Sequence, residues 1–148
     1  MINMKQRKID VFDGENRFLS NFYYAPIIYN GKKYSSTEVA YQAAKASNEK
    51  DKNKFNSATT SIEAKKLGRK IKLRDDWELV KDKIMYEICL IKFTTHTELK
   101  EKLLATGDAE LIEGNYWNDI YWGVCEGIGQ NKLGKILMKI RSELKEGE

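Results

Sequence analysis

The chain has 148 residues, of which 41% are hydrophobic and 32% charged, and this composition is typical of one soluble globular domain. No apolar run approaches the roughly 20 residues of a membrane-spanning helix, and the N-terminus lacks the apolar core of a secretory signal, so we expect a cytoplasmic protein with no membrane contact. Two isolated cysteines and one histidine, His96, exclude the usual zinc and disulfide frameworks, and we expect no metal and no cofactor.

The net charge of +4 is unevenly distributed along the chain. Residues 45–83 contain 12 Lys and Arg but only 7 Asp and Glu, an excess larger than that of the whole chain. A basic region of this kind is typical of proteins that bind phosphate, nucleotides or nucleic acid. Mixed charges on solvated helix surfaces give the same count, so this observation alone does not select a ligand.

The first part of the chain predicts a short strand and an unusual loop. Residues 8–12 alternate enough for a short strand, and residues 13–16 have turn chemistry. Residues 18–24 mix aromatic rings with Ser20 and Asn21. We expect a loop that presents side chains to a pocket, although some of these rings are also candidates for the core.

A hairpin leads into the helix around which the rest of the chain is organised. The Asn30-Gly31 pair lies between two β-prone runs and predicts a two-residue hairpin, because both residues tolerate positive φ. Residues 34–46 (YSSTEVAYQAAKA) predict a short helix. Ser35 is its expected N-cap, and Glu38, three residues later, completes the spacing of a capping box.

This helix has one polar face and one face of very small residues. Glu38, Tyr41, Gln42 and Lys45 fall within an arc of about 100°. An acid, a phenol, an amide and an amine in one line provide groups for proton transfer, stacking, hydrogen bonding and nucleophilic attack. The alternative is structural, in that Glu38 satisfies a backbone N–H and Lys45 complements the helix dipole.

The remaining elements are mainly helical. A second aromatic and polar segment, residues 116–122, precedes a glycine-rich loop whose following helix N-terminus is suited to a phosphate. The two aromatic segments together favour a nucleotide-like ligand, because rings stack on bases while Asn and Asp bind edges and hydroxyls. The sequence therefore predicts one α+β domain over residues 1–148, mainly helical with a few short strands, with helices at 48–55, 61–70, 77–93, 97–105 and 133–144 and a strand at 110–115.

Five blocks of the sequence resemble a known family, in the same order. They are FLSNFY, YNGKKYSSTEVAYQAAKA, GRKIKLRDDW, LLATGDAELIEGN and NDIYWGVCEGIGQNKLGKILMKIR. The chain resembles the NADAR family, also called YbiA-like, and the resemblance implies a compact, mainly helical α+β domain with N-glycosidase activity. Some members hydrolyse the C–N bond of pyrimidine intermediates of riboflavin synthesis and release ribose 5-phosphate. Others remove ADP-ribose from modified guanine in nucleic acid.

The resemblance also implies roles for individual residues. Glu38 occupies the position of the catalytic glutamate, Lys45 that of a lysine with a proposed Schiff-base role, and Asp119 that of a pocket residue which we also expect to be catalytic. Val39 stands where the family commonly has histidine, so no role of that histidine carries over. The predicted substrate-binding residues are Ser20, Asn21, Phe22, Tyr41, Gln42, Arg69, Arg74, Trp77, Trp122, Gln130 and Asn131.

Three functions stay open from the sequence. The first is a glycosidase that acts on a phosphorylated nucleotide-like small molecule, and the second is a glycosidase that removes ADP-ribose from nucleic acid. The third, from another class, is a binding module that recognises a nucleotide or ADP-ribose without cleaving it. The intact set of Glu38, Lys45, Trp77 and Asp119 favours an enzyme, since a pure binding module has no need of it.

Overall fold

The computed structural model describes residues 7–147, which divide into two compact units. The central unit is residues 21–96, and the terminal unit is residues 7–20 together with 97–147. The class is α+β and mainly helical, as predicted. No helix in the described part of the chain has the length and apolar character needed to cross a membrane.

The elements follow one another in a simple order. Along the chain they are β1 (Lys8–Ile9), a 3₁₀ helix (Gly14–Leu19), β2 (Ile27–Tyr29), β3 (Lys32–Tyr34), α1 (Thr37–Ala44), α2 (Glu49–Lys52), α3 (Ser61–Gly68), α4 (Trp77–Thr95), α5 (Thr97–Ala105), β4 (Glu110–Leu111), β5 (Gly114–Asn115), β6 (Val124–Cys125) and α6 (Lys132–Glu146).

The predicted hairpin of the central unit is confirmed. β2 and β3 pair antiparallel, with Tyr29 opposite Lys32. The two turn residues have positive φ, 51° for Asn30 and 81° for Gly31. Mirror-image turns of this kind match the twist of the flanking strands, so the hairpin fixes where the chain enters α1.

Helix α1 is the centre of this unit and packs against both α3 and α4. Its residues Val39, Ala40 and Ala43 are fully buried. Because these side chains are small, the neighbouring helices approach its backbone closely. The whole of α1 is buried, including its polar face.

The helices that surround α1 begin where the sequence predicts. α3 has Thr60 as N-cap and forms a complete capping box with Glu63. α4 begins at Trp77 and buries Ile84 and Ile88 of the predicted apolar stripe. Asp76 occupies the N-cap position of α4 but makes no capping hydrogen bond with its side chain.

The terminal unit contains two parallel strand pairs that the sequence did not predict. β1 pairs with β4, and β5 pairs with β6. The predicted strand at 110–115 is two short strands, and the strand predicted at 8–12 extends only from Lys8 to Ile9. α6 is amphipathic as predicted, buries Leu137 and Ile140, and packs on β4 and α5.

Lys92 is a completely buried cation on α4, with 1% of its surface exposed. Its Nζ lies 5.7 Å from the centre of the Tyr23 ring and 5.1 Å from that of Phe93. Aromatic faces offset part of the lost hydration. Burial nevertheless lowers the pKa of Lys92 to about 8, and it raises the pKa of the Cys89 thiol to about 12.

We expect the free energy of unfolding to rise between pH 8 and pH 9 because of Lys92. The unfolded chain keeps this proton up to the ordinary pKa of 10.5, whereas the folded chain releases it near pH 8. The unfolded state therefore binds more protons than the folded state in this window. Raising the pH disfavours the state that binds more protons, so the free energy of unfolding increases by roughly 1 kcal/mol over one pH unit. Cys89 acts in the opposite direction above pH 9. Urea unfolding at the two pH values measures the gain.

The matched comparison is Lys92→Met, which removes the buried proton site. The gain between pH 8 and pH 9 should be smaller in this variant by roughly 1 kcal/mol. Lys66→Met, at an exposed position of α3, should keep the full gain. Equal gains in Lys92→Met and the wild type would show that Lys92 does not release its proton in this range.

Candidate active site

The start of α1 differs from the sequence prediction by one residue. Ser36 is the N-cap, and its Oγ accepts a hydrogen bond from the Val39 N–H at 3.3 Å. The Ser35 hydroxyl instead donates to the Thr59 carbonyl at 2.6 Å. The predicted capping box of Ser35 and Glu38 is therefore wrong. Glu38 is the second residue of the helix, one position too early for that motif.

The carboxylate of Glu38 is buried and bound by the next turn of α1. Gln42 Nε2 donates a hydrogen bond to Glu38 Oε2 at 2.7 Å. The two residues are 8% and 5% exposed, respectively. A short bond from an amide to an ionised carboxylate is stronger than a neutral pair, and it favours the ionised form.

Tyr41, Trp77 and Lys45 form a second group on the same face. The rings of Tyr41 and Trp77 are tilted by 56°, with centroids 5.2 Å apart, and both residues are buried. Lys45 Nζ lies 5.2 Å from the centre of the Tyr41 ring. The structure thus brings together five predicted site residues of the central unit: Glu38, Tyr41, Gln42, Lys45 and Trp77.

The charge of Lys45 is disfavoured by its surroundings. Burial lowers the pKa of its amine, and the neighbouring cations Arg69, Lys65 and Lys81 lower it further, while Glu38 opposes the shift. A larger fraction of the amine is therefore neutral near pH 7 than for an exposed lysine. A nucleophilic lysine requires this neutral state of the amine.

Asn21 holds the first turn of α1 in place. Its carbonyl accepts the Glu38 N–H at 3.0 Å, and its Oδ1 accepts the Thr37 hydroxyl at 2.8 Å. Its Nδ2 points at Met85 Sδ, at 3.4 Å, and Cys89 Sγ lies 3.7 Å from its Oδ1. Asn21 was predicted to bind substrate, and these contacts give it a supporting role for Glu38.

Arg74 faces away from this group. Its Nε and Nη2 donate to the two carboxylate oxygens of Asp76, at 2.6 and 3.1 Å. It lines a cavity of about 110 Å³ that also touches Ala40 and Ala43. These alanines lie on the side of α1 opposite Lys45, so the structure does not bring the Arg74 side chain to the polar face. Its backbone N–H does bond the Lys45 carbonyl, at 2.8 Å.

Three residues near the polar face were not selected from the sequence. Lys65 Nζ lies 5.8 Å from the centre of the predicted Phe22 ring, and Lys81 pairs with Glu78 at 2.7 Å. Both lysines fall in the basic segment, but nothing in their spacing distinguishes them from other lysines there. The third, Gly68, lies directly against Gln42.

The terminal unit contains Asp119 and Trp122, which lie together in one turn. Asp119 Oδ1 accepts the backbone N–H groups of Tyr121 and Trp122, at 3.2 and 2.9 Å. The Asn115 side chain bonds both the N–H and the carbonyl of Asp119. One oxygen of this carboxylate therefore builds the turn. The Trp122 ring meets Tyr121 edge to face, with centroids 4.9 Å apart.

The other predicted residues of this unit have mainly structural contacts. The Ser20 N–H closes the 3₁₀ helix, and Gln130 is exposed. Asn131 is buried, and its amide bonds the Glu113 N–H and the Leu111 carbonyl, both at 2.9 Å. Substrate contact by these residues stays a prediction.

Neither histidine nor cysteine belongs to the polar face of α1. His96 Nε2 lies 2.7 Å from the Pro26 carbonyl. Within residues 7–147, no three His, Cys, Asp or Glu side chains are grouped so that they could hold a metal ion. The polar face of α1 presents a carboxylate, an amide, an amine and aromatic rings.

A known protein family matches nearly the whole of the chain. The NADAR domain matches residues 9–145, which include the polar face of α1 and both aromatic segments. This chain belongs to the NADAR family. The predicted family membership is thus confirmed. The matched residues belong to both the central unit and the terminal unit.

Similar proteins indicate what NADAR domains of this kind do. N-glycosidase YbiA of Escherichia coli (strain K12) is 38% identical over 128 residues, which are 84% of this chain and 79% of YbiA. An N-glycosidase of Nostoc punctiforme is 42% identical over 118 residues, 76% of this chain and 75% of that protein. The NMR structure of E. coli YbiA has a TM-score of 0.88 at 34% identity, covering 98% of this chain and 89% of that one.

A third relative is named for a biosynthetic pathway. A riboflavin biosynthesis protein of Vibrio vulnificus is 38% identical over 137 residues, which are 90% of this chain but 37% of that longer protein. Taken with the two named glycosidases, these similarities identify this chain as an N-glycosidase rather than a binding module without activity.

Proposed function

We propose that this N-glycosidase hydrolyses the C–N bond between ribose 5-phosphate and a pyrimidine intermediate of riboflavin synthesis. The observation that carries the proposal is the polar face of α1, where the buried Glu38 carboxylate accepts a hydrogen bond from Gln42 and the Lys45 amine has a lowered pKa. The similarity to a riboflavin biosynthesis protein supports this substrate class.

The Glu38 carboxylate stabilises the positive charge that develops on the ribose during cleavage. Breaking an N-glycosidic bond leaves positive charge on the ribose C1 and ring oxygen, and negative charge on the departing nitrogen. An ionised Glu38 in a buried site stabilises the ribosyl cation more strongly than it would in water. The same carboxylate is suited to accept the proton of the attacking water.

Lys45 offers a covalent route for the same reaction. When the ribose ring opens, C1 and the heterocycle nitrogen form a protonated imine, and the neutral Lys45 nitrogen adds to C1 of this imine. A proton then passes from the lysine nitrogen to the heterocycle nitrogen, the bond from C1 to that nitrogen breaks, and the heterocycle leaves as a free amine while Lys45 stays bound to C1 as an imine. Water then adds to C1 of the resulting imine, and the lysine amine departs. The products are ribose 5-phosphate, the free heterocycle and the regenerated enzyme.

The cations near Lys45 match a phosphorylated substrate. Arg69, Lys65 and Lys81 all lie close enough to the Lys45 amine to lower its pKa, although Lys81 is also paired with Glu78. Phosphate binds preferentially to such clusters. Tyr41 and Trp77 supply the adjoining aromatic surface, although both rings are mostly buried against each other.

A second substrate class uses the same chemistry on nucleic acid. Tyr116 and Trp117 of the terminal unit are 89% and 51% exposed. Exposed rings of this kind are typical of platforms on which the bases of single strands stack. They favour ADP-ribosylated guanine in nucleic acid as the alternative substrate, cleaved at the bond to ribose.

One assay tests the proposal and separates the two classes. The purified protein is incubated with a phosphoribosylamino-pyrimidine, with the same compound lacking its phosphate, and with an ADP-ribosylated guanine oligonucleotide. Mass spectrometry then measures released ribose 5-phosphate, ribose and ADP-ribose. We expect ribose 5-phosphate to be released, and removal of the phosphate to lower kcat/KM about 10- to 100-fold. Release of ADP-ribose alone would instead support the second class, and no release from any of the three would refute both.

A further inference from the structure

The side chain of Gln42 carries a buried oxygen that no described residue binds. Within residues 7–147, its Oε1 is the one buried side-chain oxygen or nitrogen without a hydrogen-bond partner. Leaving a buried acceptor unsatisfied is costly, and an apolar side chain of similar size avoids that cost. Packing alone therefore does not account for a glutamine at position 42. The amide nitrogen, Nε2, is the part of the side chain that explains it.

The other half of the amide is engaged with Glu38. Gln42 Nε2 donates to Glu38 Oε2 at 2.7 Å. If the amide were flipped, Oε1 would face the carboxylate, and two acceptors would lie in contact. With Glu38 ionised, as the proposed function requires, the amide has one favourable orientation, and this orientation leaves Oε1 on the side where no described donor lies.

Gly68 provides the space for this orientation. A Cβ at Gly68 would overlap both Oε1 and Cδ of Gln42. Gly68 is helical and does not have a positive φ, so backbone freedom is not what requires glycine there. What requires it is the close approach of α3 to α1 at the Gln42 side chain.

We propose that Gln42 is the positioning residue of Glu38, and that Gly68 keeps Gln42 in the one place from which it can act. Together they hold the Glu38 carboxylate in a single orientation and in its ionised form. Gln42, predicted from sequence to bind substrate, then acts through Glu38. This inference rests on the proposed function, because it assigns a task within the same site.

Other charges also face this pair. Lys45 lies on the same helix as Glu38 and interacts with it electrostatically. Lys65 and Arg69, at the end of α3, and Lys81 of α4 act on Lys45 in turn. These cations favour an ionised Glu38 as well, so a test of Gln42 has to change the hydrogen bond and leave the charges unchanged.

Gly68→Ala and Gln42→Leu both disrupt the hydrogen bond between Gln42 and Glu38 while keeping every charge. The methyl group of the first displaces the amide, and the second removes its donor without altering any charge. In each we expect kcat to fall about 10- to 100-fold, with KM changed much less, because the carboxylate loses its alignment. The acidic limb of the pH profile of kcat/KM should move to higher pH, since the ionised carboxylate loses a donor. A purely structural role would not move that limb.

A double-mutant cycle tests whether Gly68 acts through Gln42. Gln42→Ala removes the side chain that the new methyl would meet. Gly68→Ala should therefore cost nothing further in kcat when it is added to Gln42→Ala, so the two losses are strongly non-additive. Gly147→Ala is the matched control, because its Cβ would lie 3.6 Å from the nearest atom and the residue is exposed.

Two results would overturn the inference. One is additive losses of kcat in the double-mutant cycle, and the other is an unchanged pH profile in Gln42→Leu, a substitution that adds no atom to the site. Urea unfolding of each variant separates this outcome from a failure of the proposed function. If the wild type hydrolyses none of the three substrates, the proposed function fails. In that case the double-mutant cycle is measured in the free energy of unfolding instead of kcat. Zero coupling energy between positions 42 and 68 would then refute the contact between them.

Discussion

Glu38→Gln should lower kcat about 1,000-fold and leave substrate binding nearly unchanged. The substitution keeps the size of the side chain and its place on α1, but it removes the negative charge that, in the proposed mechanism, stabilises the ribosyl cation. Gln42 can still donate to the new amide oxygen across the 2.7 Å contact, so the local packing survives. Single-turnover kinetics measure the chemical step, and calorimetry with the phosphoribosyl substrate measures binding.

The control for this variant is Glu110→Gln, the same change at an exposed position on β4. It should keep wild-type kcat and KM. Because Glu38 is 8% exposed, the variant also needs a check of folding by urea unfolding. A folded Glu38→Gln enzyme with full activity would remove the carboxylate from the mechanism.

Much of the central unit could be predicted because its signals are local. The Asn30-Gly31 turn and the predicted starts of α3 and α4 each depend on residues a few positions apart. The polar face of α1 is also a local property, since helical periodicity alone places its side chains in one line. These elements appear in the structure with the predicted type and nearly the predicted ends.

The N-cap of α1 shows where local signals compete. Ser35 and Ser36 are both good N-cap residues, and only Ser35 has the acidic partner of a capping box. Tertiary contacts decide between them, because Ser35 bonds the Thr59 carbonyl and Asn21 takes the Glu38 N–H. Neither partner is near in sequence, so a pattern of adjacent residues does not identify the cap.

The parallel strand pairs and the use of Gly68 lie beyond sequence patterns for the same reason. β1 and β4 are separated by about 100 residues and have two residues each, too few for a periodic signal. Gly68 is required by a side chain on another helix rather than by its own turn. The candidate residues of α1 were therefore found from the sequence, whereas the contacts that hold them were found from the structure.

Lys45→Arg should abolish turnover as completely as Lys45→Met, with kcat reduced by about 1,000-fold or more in both. Arginine keeps the positive charge but stays protonated at any pH at which the protein is folded, so it cannot form a bond to C1. Lysine at this position has a lowered pKa, chiefly through burial. The fraction of neutral amine, and with it the rate, should rise with pH through that lowered pKa.

Borohydride distinguishes a covalent role of Lys45 from an electrostatic one. When it is added during turnover, it should reduce the imine and leave a ribose-phosphate adduct on Lys45, detectable by peptide mass spectrometry. The adduct should be absent from Lys45→Arg and present in Lys135→Arg, a control at an exposed position of α6. If Lys45→Arg keeps most of the activity, and no adduct forms on the wild type, then the lysine serves as a charge for the phosphate and water attacks the ribosyl cation directly, with Glu38 as its base.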